Sequence, residues 1–298
     1  MRVTVLRGGP SAEREISLIS GKAVADGLRQ AGHDVFESDV SPTDLSGLDR
    51  LADVVFPVLH GQFGESGELQ EILESRQLKF VGSGSRASRI GMDKVATKEV
   101  WLEAGLPTPP WKIVQRGQTP PVIDGPCVVK AIGSGSSIDV FVCKAPAEAP
   151  AQSAAALRQV LARHPRAMVE AYVDGVELTV GILEERALPP IRIVPKSEFF
   201  DFEAKYKSSD TEHRFDTGLP EQLIEEVKSL AERAHSAIGC RDLSRVDFMI
   251  DRQNRPFLIE INTLPGFTPK SLLPEAAAHA GINFVALVDR LARRAANR

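Results

Sequence analysis

Short apolar runs alternate with amphipathic helical patterns along the first third of the chain. Residues 2–6 are typical of a strand, and a tight loop at 8–10 leads to a helix that Ser11 is expected to cap and that runs to about residue 30. Further strands are predicted at 35–38, 54–59 and 78–81, and a further helix at 68–76. This alternation predicts an open, mainly parallel α/β domain over residues 1–92.

The rest of the chain divides into two further blocks, which we take as two more domains. For residues 93–175 the pattern predicts helices at 92–104 and 147–163 and strands at 126–131, 138–143 and 167–173. For residues 176–298 it predicts strands at 176–183, 187–194, 245–250 and 256–262 and helices at 220–238, 271–280 and 283–296. A polar segment at 195–218 shows no periodicity, and loops of that length are usually functional or disordered.

The predicted strand pair within residues 245–262 carries polar side chains where a buried face is expected. Side chains two apart on a strand share a face, so Arg245 and Asp247 should lie together. On the second strand we expect one face of Leu258, Glu260 and Asn262, with Phe257, Ile259 and Ile261 behind it. Carboxylate and amide oxygens in one place suit magnesium that carries nucleotide phosphates. The alternative is an ordinary charged hairpin face in solvent.

A loop rich in glycine and serine, residues 133–137, follows a strand that ends near Lys130. Glycines let the backbone approach a phosphate, and a lysine at a strand end supplies a point charge for it. Lys94 opens a helix against the helix dipole, which a phosphate partner would explain. Glu170 and Glu177 flank a turn where an edge strand could present its backbone to an adenine ring and a carboxylate could hold a ribose. Each of these side chains could instead face solvent.

In the first domain, Glu13 is expected in the first turn of the helix after Ser11. Its carboxylate either complements the helix dipole or holds a substrate ammonium group beyond the end of a strand. His60 and Glu65 lie in a glycine-rich loop after the 54–59 strand, where they either shape the loop or bind substrate.

Composition argues against several classes of function. The 298 residues carry a formal net charge of −4 and no run of lysine or arginine, which argues against nucleic acid as a partner. No segment reaches the roughly 18 apolar residues of a membrane span, and the N-terminal residues lack a signal-peptide pattern. The cysteines form neither a metal-ligand spacing nor a disulfide framework, so we expect a cytoplasmic protein.

Seven motifs, in order along nearly the whole chain, resemble the D-alanine–D-alanine ligase family of the ATP-grasp superfamily. They are GGPSAEREISLISG, HGQFGESGELQ, GMDKVATK, VEAYVDGVELTVGIL, FDFEAKYKSSDT, RVDFMID and LIEINTLPGFTPKSLLP. The resemblance implies an N-terminal α/β domain followed by central and C-terminal domains that clamp ATP between two sheets. It also implies a carbon–nitrogen ligase that makes D-alanyl-D-alanine for peptidoglycan through an acyl phosphate, with ATP converted to ADP and phosphate. A homodimer is expected on the same ground.

The resemblance also implies roles for individual residues. The ATP-binding positions of the family match Lys94, Lys130, Ser136, Ser137, Glu170, Ala171, Val173, Glu177 and Lys205. The ligands of two magnesium ions, or of manganese in their place, match Asp247, Glu260 and Asn262. The positions around the two D-alanines match Glu13, His60, Lys205, Ser271 and Leu272. The catalytic positions match Glu13, Ser136, Tyr206, Arg245 and the N–H group of Gly266, and Lys205 and Tyr206 match the mobile loop that closes the site.

The chain departs from the family pattern mainly around the phosphate loop. Ala131, Ser134 and Asp139 stand where the family usually has proline, an acidic residue and glycine. The Asp139 carboxylate would add negative charge near the triphosphate if it turns inward, and otherwise points to solvent. Lys207 and Lys270 stand where uncharged residues or histidine are more usual.

Two other functions remain open from the sequence. One is an ATP-grasp carboxylate–amine ligase that uses different amino acids, chosen by Glu13, Lys270 and the loop that closes the site. The other is a relative that binds nucleotide without turnover, an idea that the altered phosphate loop motivates. Arg245 argues against the second alternative, because a protein that only binds nucleotide does not need a group for an oxyanion.

Overall fold

The computed structural model describes residues 1–118, 121, 123, 125–135, 139–145, 147–195, 211–268 and 270–298. Within these residues the first domain is built on a parallel sheet in the order β2-β1-β3, formed by β1 (Arg2–Arg7), β2 (Asp34–Asp39) and β3 (Val54–Pro57). Its helices are α1 (Arg14–Gln30) and α2 (Glu68–Ser75). The predicted parallel α/β domain is therefore confirmed. The strand predicted at 78–81 is reduced to a single bridge between Val55 and Phe80.

The start of α1 differs from the prediction. The helix begins at Arg14, so Glu13 precedes its first turn. Ser11 does not cap it, because its hydroxyl donates a 2.6 Å hydrogen bond to the carbonyl of His60 and accepts one of 3.2 Å from the N–H of Glu13. Ser11 thus joins the loop after β1 to the loop after β3.

The predicted helix at 92–104 corresponds to α4 (Lys94–Glu103), and a further helix that was not predicted, α3 (Ser85–Met92), precedes it. Asp93 separates them in an extended conformation and caps α4, because its carboxylate accepts hydrogen bonds from the N–H groups of Val95 and Ala96 at 2.8 and 3.0 Å. The second sheet is antiparallel in the order β4-β7-β5-β6. Its members are β4 (Trp111–Gln115), β5 (Cys127–Ala131), β6 (Val140–Cys143) and β7 (Arg166–Ala171), with α5 (Ala149–Arg163) packed against them.

The third sheet runs β11-β10-β8-β12-β13, with β9 paired to β8. Its strands are β8 (Gly175–Leu183), β9 (Arg186–Ala187), β10 (Ile191–Pro195), β11 (Thr211–Arg214), β12 (Leu243–Asp251) and β13 (Pro256–Asn262). The helices of this part are α6 (Glu221–Ile238), α7 (Leu272–His279) and α8 (Phe284–Ala296). β11 lies inside the segment predicted to lack regular structure. No helix that the structure describes is both long and apolar enough for a membrane span.

A β-bulge changes the predicted faces of β13. Asp247 pairs with Glu260, but the next residue, Phe248, pairs with Leu258, so Ile259 is an extra residue on β13. The predicted faces are therefore wrong on one side of the bulge. Leu258 is buried in the core with Phe248, whereas Ile259 lines the cleft beside Glu260.

The last helix, α8, follows the strands of the third sheet in the sequence, but its main contacts are with the first domain. It packs against α1 and β3, and its Leu287 and Leu291 share one core with Val5 and Phe56 of the first sheet. The predicted domain boundaries at 92/93 and 175/176 stay a proposal.

Candidate active site

A cleft of about 1140 Å³ lies between the third sheet, the loops of the first domain that carry Glu13 and His60, and the loop that begins after β5. The predicted site residues that line it are Glu13, His60, Lys94, Glu177, Arg245, Asp247, Glu260, Asn262, Gly266, Ser271 and Leu272. Residues that are far apart in the sequence thus line the same cleft.

The β12–β13 pair forms the polar wall of the cleft. Arg245 lies opposite Asn262 and Asp247 lies opposite Glu260 in the register. Arg245 holds Asp247 through two hydrogen bonds, Nε to Oδ1 at 2.9 Å and Nη2 to Oδ2 at 2.7 Å. Thr179 of β8, a residue that the sequence analysis missed, donates a 2.5 Å hydrogen bond to Oδ1 of Asp247. Both oxygens of this carboxylate are therefore oriented by protein groups.

The oxygen donors of this wall fit a hard cation such as magnesium. The structure describes no group of three or more His, Cys, Asp or Glu side chains that could hold a metal ion, and the set here is two carboxylates and an amide. Magnesium usually keeps several waters and takes one or two carboxylates together with substrate phosphates, so such a set suffices. The amide oxygen of Asn262 accepts the N–H of Leu264 at 2.8 Å, which fixes its direction.

Lys94 stands between this wall and the phosphate loop. Its ammonium group donates a 2.6 Å hydrogen bond to the carbonyl of Ser134 and lies 3.8 Å from Oε2 of Glu260. The side chain is largely buried. A lysine placed between a loop and a carboxylate suits a phosphate that would enter between them.

A second pair of predicted ATP residues, Lys130 and Glu170, lies on β5 and β7, which are neighbouring strands of the second sheet. Lys130 Nζ is 2.7 Å from Oε2 of Glu170, and both side chains are buried. Lys98 of α4 is fully buried and forms an ion pair with the other oxygen of the same carboxylate and a hydrogen bond to Thr108. Lys98 was not predicted as a site residue, because the only signal for it in the sequence is a second lysine one helical turn after Lys94.

The ionisable side chains of this buried cluster change one another's pKa values. The pKa of Lys98 is lowered to about 8, mainly by burial and in smaller part by the nearby charge of Lys130, while Glu170 opposes the change. Burial works to raise the pKa of Glu170, but the two lysines outweigh it and hold that pKa below its ordinary value. Glu170 therefore stays ionised as the counter-charge of two lysines.

The phosphate loop, residues 132–139, is described only at its two ends. Ser136 and Ser137 lie outside the described residues, so their predicted roles are not tested. Asp139 does not line the cleft and does not point to solvent. Its buried carboxylate pairs with Arg163 at 2.5 Å and with His164 at 2.7 Å, which is an arrangement that the sequence analysis did not consider.

Ala171 and Val173 follow Glu170 at the end of β7, where the chain crosses to β8. The N–H of Ala171 donates a 2.9 Å hydrogen bond to the carbonyl of Pro110. Neither residue lines the cleft described above, and the predicted contacts of their backbone with an adenine ring remain a prediction.

Glu13 and His60 both line the first-domain end of the cleft. A Cβ atom on Gly61, at a φ of +71°, would lie 2.9 Å from Oε2 of Glu13, so the glycine lets the two loops approach. His60 Nδ1 lies 3.3 Å from Oε1 of Glu65. Its Nε2 atom is buried without a hydrogen-bond partner among the described residues. A buried polar atom that borders a cleft is a candidate contact for a substrate.

The other end of the cleft is formed by Gly266 and the start of α7. Ser271 precedes the helix, and its hydroxyl accepts the N–H of Thr268 at 3.0 Å. A Cβ atom on Gly266 would lie 2.8 Å from Oγ of Ser271, so only glycine fits without displacement. A pair between His213 and Glu275, 2.6 Å apart, also lines this end and was missed, because β11 was not predicted. Lys205 and Tyr206 lie outside the described residues.

Comparisons with known proteins agree with this arrangement. The family models described as "D-ala D-ala ligase C-terminus" and "D-ala D-ala ligase N-terminus" match residues 100–293 and 39–83. The D-alanine–D-alanine ligase of Geobacter sulfurreducens is 42% identical over 296 residues, which cover 97% of this chain and 92% of the relative. That of Acidiphilium cryptum is 42% identical over 304 residues, covering 100% and 99%.

Solved structures of the same kind of protein superpose on the whole chain. The D-alanine–D-alanine ligase of Bacillus anthracis complexed with ATP has a TM-score of 0.85 and 28% identity, covering 100% of this chain and 98% of that one. The ligase of Coxiella burnetii gives a TM-score of 0.85 at 25% identity, covering 100% and 94%. The predicted ATP-grasp fold is therefore confirmed, and the chain belongs to the D-alanine–D-alanine ligase family.

Proposed function

We propose that the chain joins two D-alanines into D-alanyl-D-alanine at the expense of ATP, as a step in making peptidoglycan precursors. The observation that carries this proposal is the single cleft shared by Glu13, the Asp247–Glu260 wall and Gly266. The reaction requires three features in one place. They are a carboxylate that binds an ammonium group, a wall that binds phosphate, and an N–H group that stabilises an oxyanion.

The nucleotide is proposed to lie between the second and third sheets. Lys94 and Lys130 would contact its phosphates, and Glu177 its ribose. Asp247, Glu260 and Asn262 would hold magnesium, which neutralises phosphate charge and so supplies much of what phosphoryl transfer needs. Because Arg245 and Thr179 already orient Asp247, little reorganisation of this carboxylate is required when the phosphates arrive.

The first D-alanine is proposed to lie at the first-domain end of the cleft, with its ammonium group on Glu13. Its carboxylate oxygen attacks the γ-phosphorus of ATP, and ADP leaves as an acyl phosphate forms. The amine of the second D-alanine, held near Ser271 and Leu272, then attacks the acyl carbon and displaces phosphate. Arg245 and the N–H of Gly266 would face the negative oxygen that develops in this step. Acyl phosphates hydrolyse, so the segment with Lys205 and Tyr206 is proposed to cover the site.

We expect the purified protein, with ATP and magnesium, to release phosphate with D-alanine and to make D-alanyl-D-alanine. The measurement is phosphate release across amino acids of both chiralities, followed by mass-spectrometric identification of the product. In the family a tyrosine at the Tyr206 position goes with D-alanine as second substrate, so D-alanyl-D-lactate should be the minor product when D-lactate is added near neutral pH. A larger yield with another amino-acid pair would support a different ligase, and no phosphate release with any amino acid would support a nucleotide-binding protein.

Replacing Glu13 with glutamine should raise the KM for the first D-alanine by about tenfold or more, because a charge-assisted contact becomes a neutral one. Steady-state kinetics at saturating ATP measures this change. Glu15→Gln is a matched control, because Glu15 is exposed in the first turn of the same helix and does not line the cleft. Equal KM values for the two variants would remove Glu13 from the proposed site.

We also propose that the protein is a cytoplasmic homodimer. The cysteines that the structure describes are free and buried, as suits a reducing compartment. Light scattering of the purified protein measures the mass of the assembly, and fractionation of its source cells measures the location.

A further inference from the structure

Asp139 is the residue at which the phosphate loop rejoins its hairpin. Its carbonyl accepts the N–H of Ala131 at 3.1 Å, directly beside the pairing of Lys130 with Val140. Its φ is +58°, in the left-handed region that glycine adopts freely, that most residues adopt at a cost of about 1–2 kcal/mol, and that aspartate enters when its side chain forms hydrogen bonds nearby. The chain keeps an aspartate at this unfavourable backbone position, so the side chain is expected to compensate.

The side chain compensates by joining the loop to the end of α5. Nη2 of Arg163 lies 2.5 Å from one carboxylate oxygen of Asp139, and Nε2 of His164 lies 2.7 Å from the other. Arg163 is the last residue of α5 and His164 is its C-cap. The carboxyl end of a helix dipole repels a carboxylate, so Asp139 is stabilised here by these two basic partners rather than by the helix. We call Asp139, Arg163 and His164 the loop latch.

The helix α5, which ends at the latch, is itself packed firmly against the hairpin that carries the loop. Leu157 and Val160 of α5 are fully buried in one core with Val129 of β5, so the helix and the hairpin move as one body. At its outgoing end the loop is held by α4, because the carbonyls of Ile132 and Ser134 accept hydrogen bonds from the backbone N–H and the ammonium group of Lys94. The latch supplies the matching restraint at the returning end.

We propose that Asp139 is a positioning residue for the nucleotide phosphates, through the loop latch. This rests on the proposed function, in which Lys130, on the strand that leads into the loop, and Lys94, which bonds to the loop at Ser134, contact the phosphates of ATP. Because the described residues on both sides of the loop are held, they have less freedom to lose when the nucleotide binds, so the latch should tighten ATP binding without contacting ATP. The two D-alanines are proposed to bind elsewhere in the cleft, so the loop latch should not affect their binding.

Asp139→Gly is the direct test, because glycine adopts this φ without strain and only the latch is lost. We expect the dissociation constant of a non-hydrolysable ATP analogue with magnesium, measured by calorimetry, to rise by up to about tenfold, because the end of the loop that the latch no longer holds must be ordered on binding. The KM for ATP should rise in parallel, with the KM for D-alanine within about twofold of wild type. Arg163→Ala should produce part of the effect, and adding it to Asp139→Gly should produce little more.

Asn254→Gly is the matched control. Asn254 is exposed in the β12–β13 turn with a φ of +61°, so the variant makes the same kind of backbone change away from the latch. It should bind the analogue as the wild type does. If Asp139→Gly lowers the melting temperature but leaves analogue binding and the KM for ATP unchanged, the role of Asp139 is purely structural and the proposal is wrong. Calorimetry also separates the two hypotheses, because wild-type protein that binds the analogue but makes no dipeptide contradicts the proposed function alone.

Discussion

Asp247→Asn is expected to lower kcat by at least about a hundredfold while the protein still folds. The asparagine oxygen can still accept the hydrogen bond from Thr179, but one anionic oxygen is lost from the magnesium position and Arg245 loses one of its two bonds. The variant therefore weakens both the neutralisation of phosphate charge and the orientation of Arg245. Phosphate release at saturating substrates measures kcat, and circular dichroism verifies the fold.

Asp49→Asn provides the same chemical change at an exposed position, where Asp49 pairs with Arg76. It should keep the wild-type kcat. A kcat of Asp247→Asn within a few-fold of this control would show that Asp247 is not a ligand in the reacting complex. Glu260→Gln should behave like Asp247→Asn, because the two carboxylates are opposite each other in the register.

Glu170→Gln should destabilise the fold by about 3–5 kcal/mol near pH 7, because it leaves two buried lysines without their counter-charge. Lys98 is fully buried and Lys130 nearly so, and Glu170 pairs with both. Urea unfolding measures the difference in the free energy of unfolding. Glu225→Gln, at an exposed pair with Lys228, should change it by less than about 0.5 kcal/mol.

The destabilisation by Glu170→Gln should shrink as the pH rises. In the wild type the pKa of Lys98 is lowered from 10.5 to about 8, so between these values the folded state binds fewer protons than the unfolded state. The free energy of unfolding contributed by Lys98 therefore increases with pH across that window. Glu170 opposes this lowering. Without it the pKa of Lys98 in the folded state should fall further, so the pH range over which stability increases should begin below pH 8. A deficit that is equal at pH 6.5 and pH 9 would contradict this account of the cluster.

The sequence predicts the chemistry of the site better than its geometry. Glu13, Lys94, Asp247 and Glu260 stand in motifs long enough to identify, and all four line the cleft. The faces of β13 could not be predicted, because the extra residue at Ile259 is a property of the pairing between two strands. A period of two in one strand does not reveal where its partner skips a residue.

Residues whose roles depend on distant partners were also beyond prediction. Lys98 resembles any helical lysine until Glu170, which lies 72 positions away, is found against it. Thr179 gives no signal in an apolar strand, and its role follows only from the pairing of β8 with β12. The start of α1 was misplaced because Ser11 bonds to His60, a contact between two loops rather than within a helix.

The packing of α8 on the first sheet bears on how the chain folds during synthesis. The core around Val5 and Phe56 is completed by Leu287 and Leu291, which leave the ribosome only after the strands of the second and third sheets have been made. The first sheet is thus translated before the other two but receives this part of its core after them, and its apolar surface is exposed in the meantime. Slowly translated messages, or cells depleted of chaperones that bind nascent chains, should therefore lose this protein by aggregation of its N-terminal part.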